Sequence, residues 1–189
     1  MKKPIAVNVT LTCYPPIARW LRSVDVNATW PEPNVLKLMY VISGEISRLR
    51  IPELTSRRQT DGLWQHTCFE LFVRANGEAY YEFNFSPSNE WAAYSFQNYR
   101  VAAPFDGDML PPIISVRHES DRWELSATIH LDCLSTRQFG SPLRVGLSAV
   151  LEDNDGQLSY WALKHPADKP DFHHPDSFAL ELALPERSA

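Results

Sequence analysis

Apolar and polar residues alternate along most of this chain, in short runs broken by Pro, Gly, Asn and Asp. Leu36, Leu38, Tyr40 and Ile42 fall on one face of a run from Val35 to Ser43, and Trp123, Leu125, Ala127, Ile129 and Leu131 alternate with polar neighbours. Leu143, Val145, Leu147, Ala149 and Leu151 repeat the pattern, and Phe178, Leu180, Leu182 and Leu184 close the chain with it. A period of two puts one face of each segment inward, which is the mark of β-strands. Further runs lie at 5–12, 24–30, 46–51, 113–118 and 158–164, giving roughly a dozen strands. That is enough for two packed sheets. Residues 52–63, 103–112 and 165–176 are polar or Pro-rich and read as loops, and Leu134 to Phe139 reads as one helical turn capped by Ser135.

Residues 61–100 carry half of the aromatic side chains and set the central problem of register. In the first run Phe69, Leu71 and Val73 alternate with Cys68, Glu70 and Phe72; in the second Tyr81, Phe83 and Phe85 alternate with Tyr80, Glu82 and Asn84. A two-residue Asn76-Gly77 turn would mix apolar and charged positions on each face. A three-residue turn, Ala75-Asn76-Gly77 with Gly77 left-handed, keeps the apolar set together, and leaving each large apolar side chain in water forfeits roughly 1.5–3 kcal/mol. The longer turn is therefore expected, pairing Arg74 with Glu78, Glu70 with Glu82 and Cys68 with Asn84. In the third run Ala92, Tyr94 and Phe96 are expected on the apolar face, with Trp91, Ala93 and Ser95 beside the two glutamates. Two close carboxylates repel unless a cation, donor or water intervenes; Arg58, Arg74 and Arg100 are the nearby cations. Two readings of this polar face stand: a solvated exterior, or a platform beside Trp64 and Trp91 for a polyhydroxylated ligand.

Composition narrows the choice of partner and compartment. The chain has 189 residues and a net charge of -5, which suits one domain over residues 1–189. It has no basic block, so no nucleic-acid partner is expected. No apolar run is long enough to span a membrane, so no membrane partner is expected either. The three cysteines, Cys13, Cys68 and Cys133, are scattered and odd in number, which fits a reducing compartment. Residues 5–12 read as an amphipathic strand and not as the apolar core of a secretion signal. A cytoplasmic location is the expectation.

Candidate chemistry is sparse. The loop from His165 to Asp176 contains three His and three Asp, yet its spacing matches no zinc signature, and a rigid surface loop is expected with no metal. His66 and Cys68 share a strand face but lack an orienting acid or oxyanion hole, so Cys68 is read as a small buried side chain. Glu70 and Glu82 resemble a hydrolytic carboxylate pair only in residue type. Asp153-Asn154-Asp155-Gly156 reads as a plain turn, lacking the later Glu of a calcium loop. Trp123 is expected in the core. Trp64, Trp91 and Trp161 adjoin polar residues, as side chains that stack on sugar rings do.

Four segments resemble a known family: L-W-Q-H-T-C-F-E-L-F-V, Y-Y-E-F-N-F-S-P-S-N-E-W-A-A-Y-S-F, L-S-Y-W-A-L and P-D-F-H-H-P-D-S-F-A-L-E-L. They look like the DOMON-like domains, relatives of the family 9 carbohydrate-binding modules, and among these a bacterial subgroup. The resemblance implies an all-β antiparallel sandwich whose better-known members bind sugars or haem. It implies sugar contacts at Trp64 and Glu70, which stand six residues apart as in the sugar-binding modules, at Glu82-Phe83-Asn84, and at Trp161 as a second stacking ring. The family often carries Arg where this chain has Glu82. No position matches the haem ligands, so no cofactor is expected.

The combined expectation is a non-catalytic module for a carbohydrate or sugar-like metabolite. Trp64 and Trp161 would stack on the ligand, Glu70, Glu82, Asn84 and Arg58 would hydrogen-bond it, and Trp91 would lie alongside. The alternatives are a protein-interaction or assembly module, favoured by an apolar patch around Trp91, and an enzyme using Glu70 and Glu82.

Overall fold

The computed structural model describes residues 6–74, 77–105, 109–132, 134, 142–166 and 169–185. Among the described residues fourteen strands form two sheets. The smaller sheet joins β1 (Ala6–Thr10), β3 (Leu21–Glu32), β4 (Val35–Gly44), β11 (Arg122–His130) and β10 (Ile113–His118) in that spatial order. The larger runs β2 (Thr12–Tyr14), β13 (Leu158–Ala162), β12 (Leu143–Glu152), β6 (Cys68–Arg74), β7 (Tyr80–Phe85), β8 (Glu90–Asn98) and β5 (Arg58–Gln59). Two short strands, β14 (Leu180–Leu182) and β9 (Val101–Ala103), pair with β12 and β8. All pairings are antiparallel except the two-residue β5–β8 contact. The expected all-β sandwich is the fold observed.

The alternating apolar residues meet between the sheets. Leu36, Leu38, Tyr40, Ile42, Trp123, Leu125 and Ile129 come from one side, and Phe69, Leu71, Val73, Phe83 and Phe85 from the other. Trp123 stacks on Phe69 at 5.5 Å between centroids. Tyr40 is fully buried, and its hydroxyl donates 2.7 Å to the Glu70 carbonyl, tying the smaller sheet to the strand that carries the site.

Three local expectations are corrected. The run at 5–12 is two strands, β1 and β2, which belong to different sheets, with buried Leu11 between them donating its N–H to Val24. The run at 46–51 is a 3-10 turn, Ile46–Arg48, and Leu49 makes one isolated bridge to Asp153. The turn between β6 and β7 spans five residues. Gly77 is left-handed as expected, with φ 76°, but Arg74 pairs with Tyr80, Phe72 with Glu82 and Glu70 with Asn84. This register differs by two residues from the expected one, so every side chain keeps its face: burial fixes parity, and a shift of two leaves parity unchanged. The helical turn expected at Leu134 to Phe139 falls mainly outside the described residues, as do Ala75, Asn76, Cys133 and Asp168.

Candidate functional site

The outer face of the larger sheet is covered, and the cover forms a pocket. At its centre β6 presents Cys68, Glu70 and Phe72, β7 presents Tyr80, Glu82 and Asn84, and β8 presents Ala92, Tyr94 and Phe96. Two segments lie over them. The first is the 3-10 turn Leu63–Gln65, started by Gly62 at φ 77°, a left-handed conformation that suits a residue without Cβ. Leu63 packs on Cys68 and Ala92 and holds the turn down, while Trp64 stays half exposed. The second is a strap that includes Asp171–Phe178. His173 packs edge-on against Phe72 and Phe96, each at 5.2 Å, and Phe178 against Tyr80 at 5.5 Å. A Cβ at Gly146 would lie 3.0 Å from the Ser177 carbonyl, so a glycine on β12 lets the strap approach this closely.

Asp171 anchors the strap. It is 3% exposed, and it accepts hydrogen bonds from Tyr99 Oη and, at 2.8 Å, from Arg100 Nη2. Burial pushes this carboxyl up, but those bonds and the Arg100 charge outweigh it and hold it below the usual carboxylate value. Arg100 has φ 57°, a backbone state costing a non-glycine residue roughly 1–3 kcal/mol. Its N–H donates to Tyr80 Oη at 3.1 Å and its guanidinium bonds Asp171, so both ends of the residue are tied.

The resulting cavity is about 680 Å³, within the roughly 300–1,000 Å³ typical of small-molecule sites. Trp64, Tyr94, Phe96, Tyr160 and Phe172 supply its aromatic walls, and Glu70, Glu82, Arg100 and His173 are its inner charged or titratable groups. Glu70 is 2% exposed and Glu82 is 6% exposed. Ser148 Oγ donates to Glu70 at 3.1 Å, and Asn84 Nδ2 donates to Glu82 at 3.1 Å. Burial and then the neighbouring Glu82 charge raise Glu70 well above the usual carboxylate value. Burial raises Glu82 to about 7, against the opposing Asn84 hydrogen bond and Arg100 charge. His173 Nε2 lies 3.7 Å from Glu82. Burial, assisted by Arg100, lowers His173 to about 4, so its ring is neutral at pH 7 and this contact is not an ion pair. Its Nδ1 meets the Tyr80 hydroxyl at 2.8 Å. A proton given by Tyr80 to Nδ1 leaves the Nε2–H facing Glu82.

The structure brings together Trp64, Glu70 and Glu82, with Asn84 bonded to Glu82. It does not bring the other expected residues to the pocket. Trp91 and Trp161 are each 6% exposed and belong to the core between the sheets, and Trp161 Nε1 donates to Ser159 Oγ at 3.1 Å. Neighbouring Tyr160 occupies the pocket wall instead. Arg58 lies on β5, largely exposed, and pairs with Glu90 at 2.8 Å away from the cavity lining. The third run has the opposite parity from that expected: Trp91 and Ala93 face inward, and Ala92, Tyr94 and Phe96 face the glutamates. Both faces of β8 are apolar, so burial alone could not choose between them.

Tyr94, Tyr160 and Phe172 were not singled out from the sequence, and His173 was considered only as part of a metal loop. A signal for the cover was present: Phe72 and Phe96 stand on a face otherwise carrying polar residues, and they need a partner to bury them. Elsewhere, Cys68 is fully buried, and burial followed by the charges of Glu70 and Glu82 raises its thiol well above the ordinary value. His66 is 2.8 Å from Glu152. Among the described residues no group of three or more His, Cys, Asp or Glu is placed to hold a metal ion, and no helix is long and apolar enough to cross a membrane.

Solved structures that share this architecture include carbohydrate-binding modules. A family 9 carbohydrate-binding module from Caldicellulosiruptor kristjanssonii in complex with glucose aligns at TM-score 0.53 and 15% identity, covering 88% of this chain and 78% of that one. Its complex with cellotriose aligns at TM-score 0.51 and 14% identity, covering 88% and 76%. A proposed carbohydrate-binding protein from Bacteroides uniformis ATCC 8492 aligns at 0.55 and 15%, covering 82% and 75%. The shared property is the fold. No protein-family model matches the sequence, and no curated protein matches it.

Proposed function

We propose that this protein is a non-catalytic binding module for a small carbohydrate or sugar-like metabolite, and that the covered face of its larger sheet is the binding site. The observation that carries this reading is one cavity of about 680 Å³ with carboxylates at its inner surface and aromatic side chains around them. Aromatic faces stack on the apolar side of a sugar ring, while carboxylates and amides bond its hydroxyls. The family 9 fold likeness and the DOMON-like sequence segments favour the same ligand class. Trp64 is the accessible stacking ring, with Tyr160 and Phe172 in the role first expected of Trp161. Glu70 and Glu82 accept hydrogen bonds from the ligand, and Asn84 orients Glu82. The whole chain acts as one domain, and a cytoplasmic location would make the ligand an intracellular sugar.

The protein-partner reading rested on an apolar patch around Trp91, and that side chain is buried. Calorimetric titration of the purified protein with glucose, cellotriose and other mono- and disaccharides tests the proposal. Binding to at least one, weakened about tenfold or more in Trp64→Ala at unchanged melting temperature, is the expected result. No binding across the panel would overturn it. Glu82, with its value of about 7, has the acidity of a proton-transfer group, so the bound sugar should also be checked for cleavage. The binding-module reading predicts that glycosides are recovered intact.

A further inference from the structure

The charges around the cavity do not balance. Among the described residues, Asp61, Glu70 and Glu82 line it against one cation, Arg100. The Arg100 guanidinium is already bonded to Asp171. The donors that the fold places on the two inner carboxylates are neutral: the Ser148 hydroxyl, the Asn84 amide and, at 3.7 Å, the His173 ring. Burial raises both Glu70 and Glu82, and the Arg100 charge, which acts the other way, offsets this only in part.

A second observation comes from Asn84. It is Glu70's cross-strand partner and is 0% exposed. Its Nδ2 is committed to Glu82, and its Oδ1 is buried with no hydrogen-bond partner among the described residues. An unpaired buried acceptor is costly. It lies on the same face as the two carboxylates, making a cluster of acceptors with few donors to meet them.

We infer that the ligand carries a protonated amine, and specifically that this pocket takes an amino sugar, with the ammonium group among Glu70, Glu82 and the Asn84 carbonyl and the ring against the aromatic wall. This rests on the sugar-binding reading above. An ammonium brings three donors and no acceptor, which suits acceptors that a neutral hydroxyl would serve one donor at a time. Its charge offsets the desolvation of two buried carboxylates, which a neutral ligand leaves uncompensated. Trp64, Tyr94, Phe96, Tyr160 and Phe172 add π-faces, which attract a cation and tolerate a sugar ring equally well.

The experiment is calorimetric titration of the full chain with four probes: glucosamine, glucose, N-acetylglucosamine and choline. Glucosamine should bind at least about tenfold tighter than glucose. N-acetylglucosamine, which keeps the ring and loses the charge, should fall back to the glucose level or below. In Glu82→Gln, and independently in Glu70→Gln, the preference for glucosamine over glucose should disappear while the melting temperature confirms a folded protein. Glucosamine binding no tighter than glucose would overturn the amine inference and leave the sugar reading standing. Choline binding without any sugar would overturn the amino-sugar assignment together with the sugar reading, leaving a site for simple ammonium ions. Silence from all four probes would overturn the inference outright.

Discussion

Asp25-Val26-Asn27 on β3 and Glu82-Phe83-Asn84 on β7 have the same pattern: an acid, an apolar residue and an asparagine. In both, the apolar residue enters the core and the acid and amide point outward. The outcomes differ. Asp25 and Asn27 remain partly exposed, bonded to Thr10, Ser23 and Asn8 on a face that no segment among the described residues covers. Glu82 and Asn84 are buried beneath a strap and a 3-10 turn, and Glu82 is raised to about 7. The same alternation therefore builds a solvent-facing surface on one sheet and a covered pocket lined by buried carboxylates on the other. The difference lies in the segments that fold over the strand.

The largest effect that would break this comparison is a pH dependence confined to the covered face. The folded state holds the Glu82 proton more tightly than the unfolded chain does, so it carries more protons between pH 4.5 and about 7. Stability should fall as pH rises through that window, by on the order of 3 kcal/mol from this group, and Glu70 acts in the same direction. Glu82→Gln should flatten the slope, so that denaturant titrations show the variant gaining on the wild type as pH rises. Parallel profiles would contradict the buried, uncompensated carboxylate.

Next in size is removal of the strap's anchor. Asp171→Ala leaves Tyr99 and Arg100 without their shared acceptor, at a cost of about 2–3 kcal/mol measured by chemical denaturation. The figure is moderate because the Arg100 side chain is half exposed and water can replace part of the loss. Gly146→Ala pushes a methyl group toward the Ser177 carbonyl and should cost about 1–2 kcal/mol. It should also weaken ligand binding, since it displaces the strap without touching the cavity lining. The smallest effect belongs to the bare face: Asn27→Ala loses one exposed hydrogen bond and should stay within about 0.5 kcal/mol.

The comparison also explains what could be read from the chain. Where one face is core and the other is water, as on β3 and β11, alternation identifies the inward residues directly. Where both faces are covered, alternation loses its contrast. Every described residue of β6 but Arg74 is buried, and so is every residue of β7. The parity of β6 and β7 was still legible because Glu70, Glu82 and Asn84 mark one face. On β8 no charged residue marks either face between Trp91 and Phe96, and the observed parity differs from the expected one by one residue. The same ambiguity of one residue separates Trp161 in the core from Tyr160 in the pocket. Trp64, Glu70 and Glu82, grouped by their local pattern, do line one cavity. Arg100 is legible as a nearby cation, whereas His173 and Phe172 reach the cavity through the long-range closure of the strap, which no local pattern encodes.

The central claim is that the covered face binds the ligand and the bare face does not. Backbone and side-chain amide shifts of the isotopically labelled protein, followed during titration with glucose and with glucosamine, test this most directly. The predicted result is that the Trp64 indole N–H and the amides of Tyr94, Arg100 and His173 move together and saturate, while Asp25 and the side-chain amides of Asn8 and Asn27 stay still. Shifts gathered on Asn8, Asp25 and Asn27, or no saturable shift with either sugar, would contradict it.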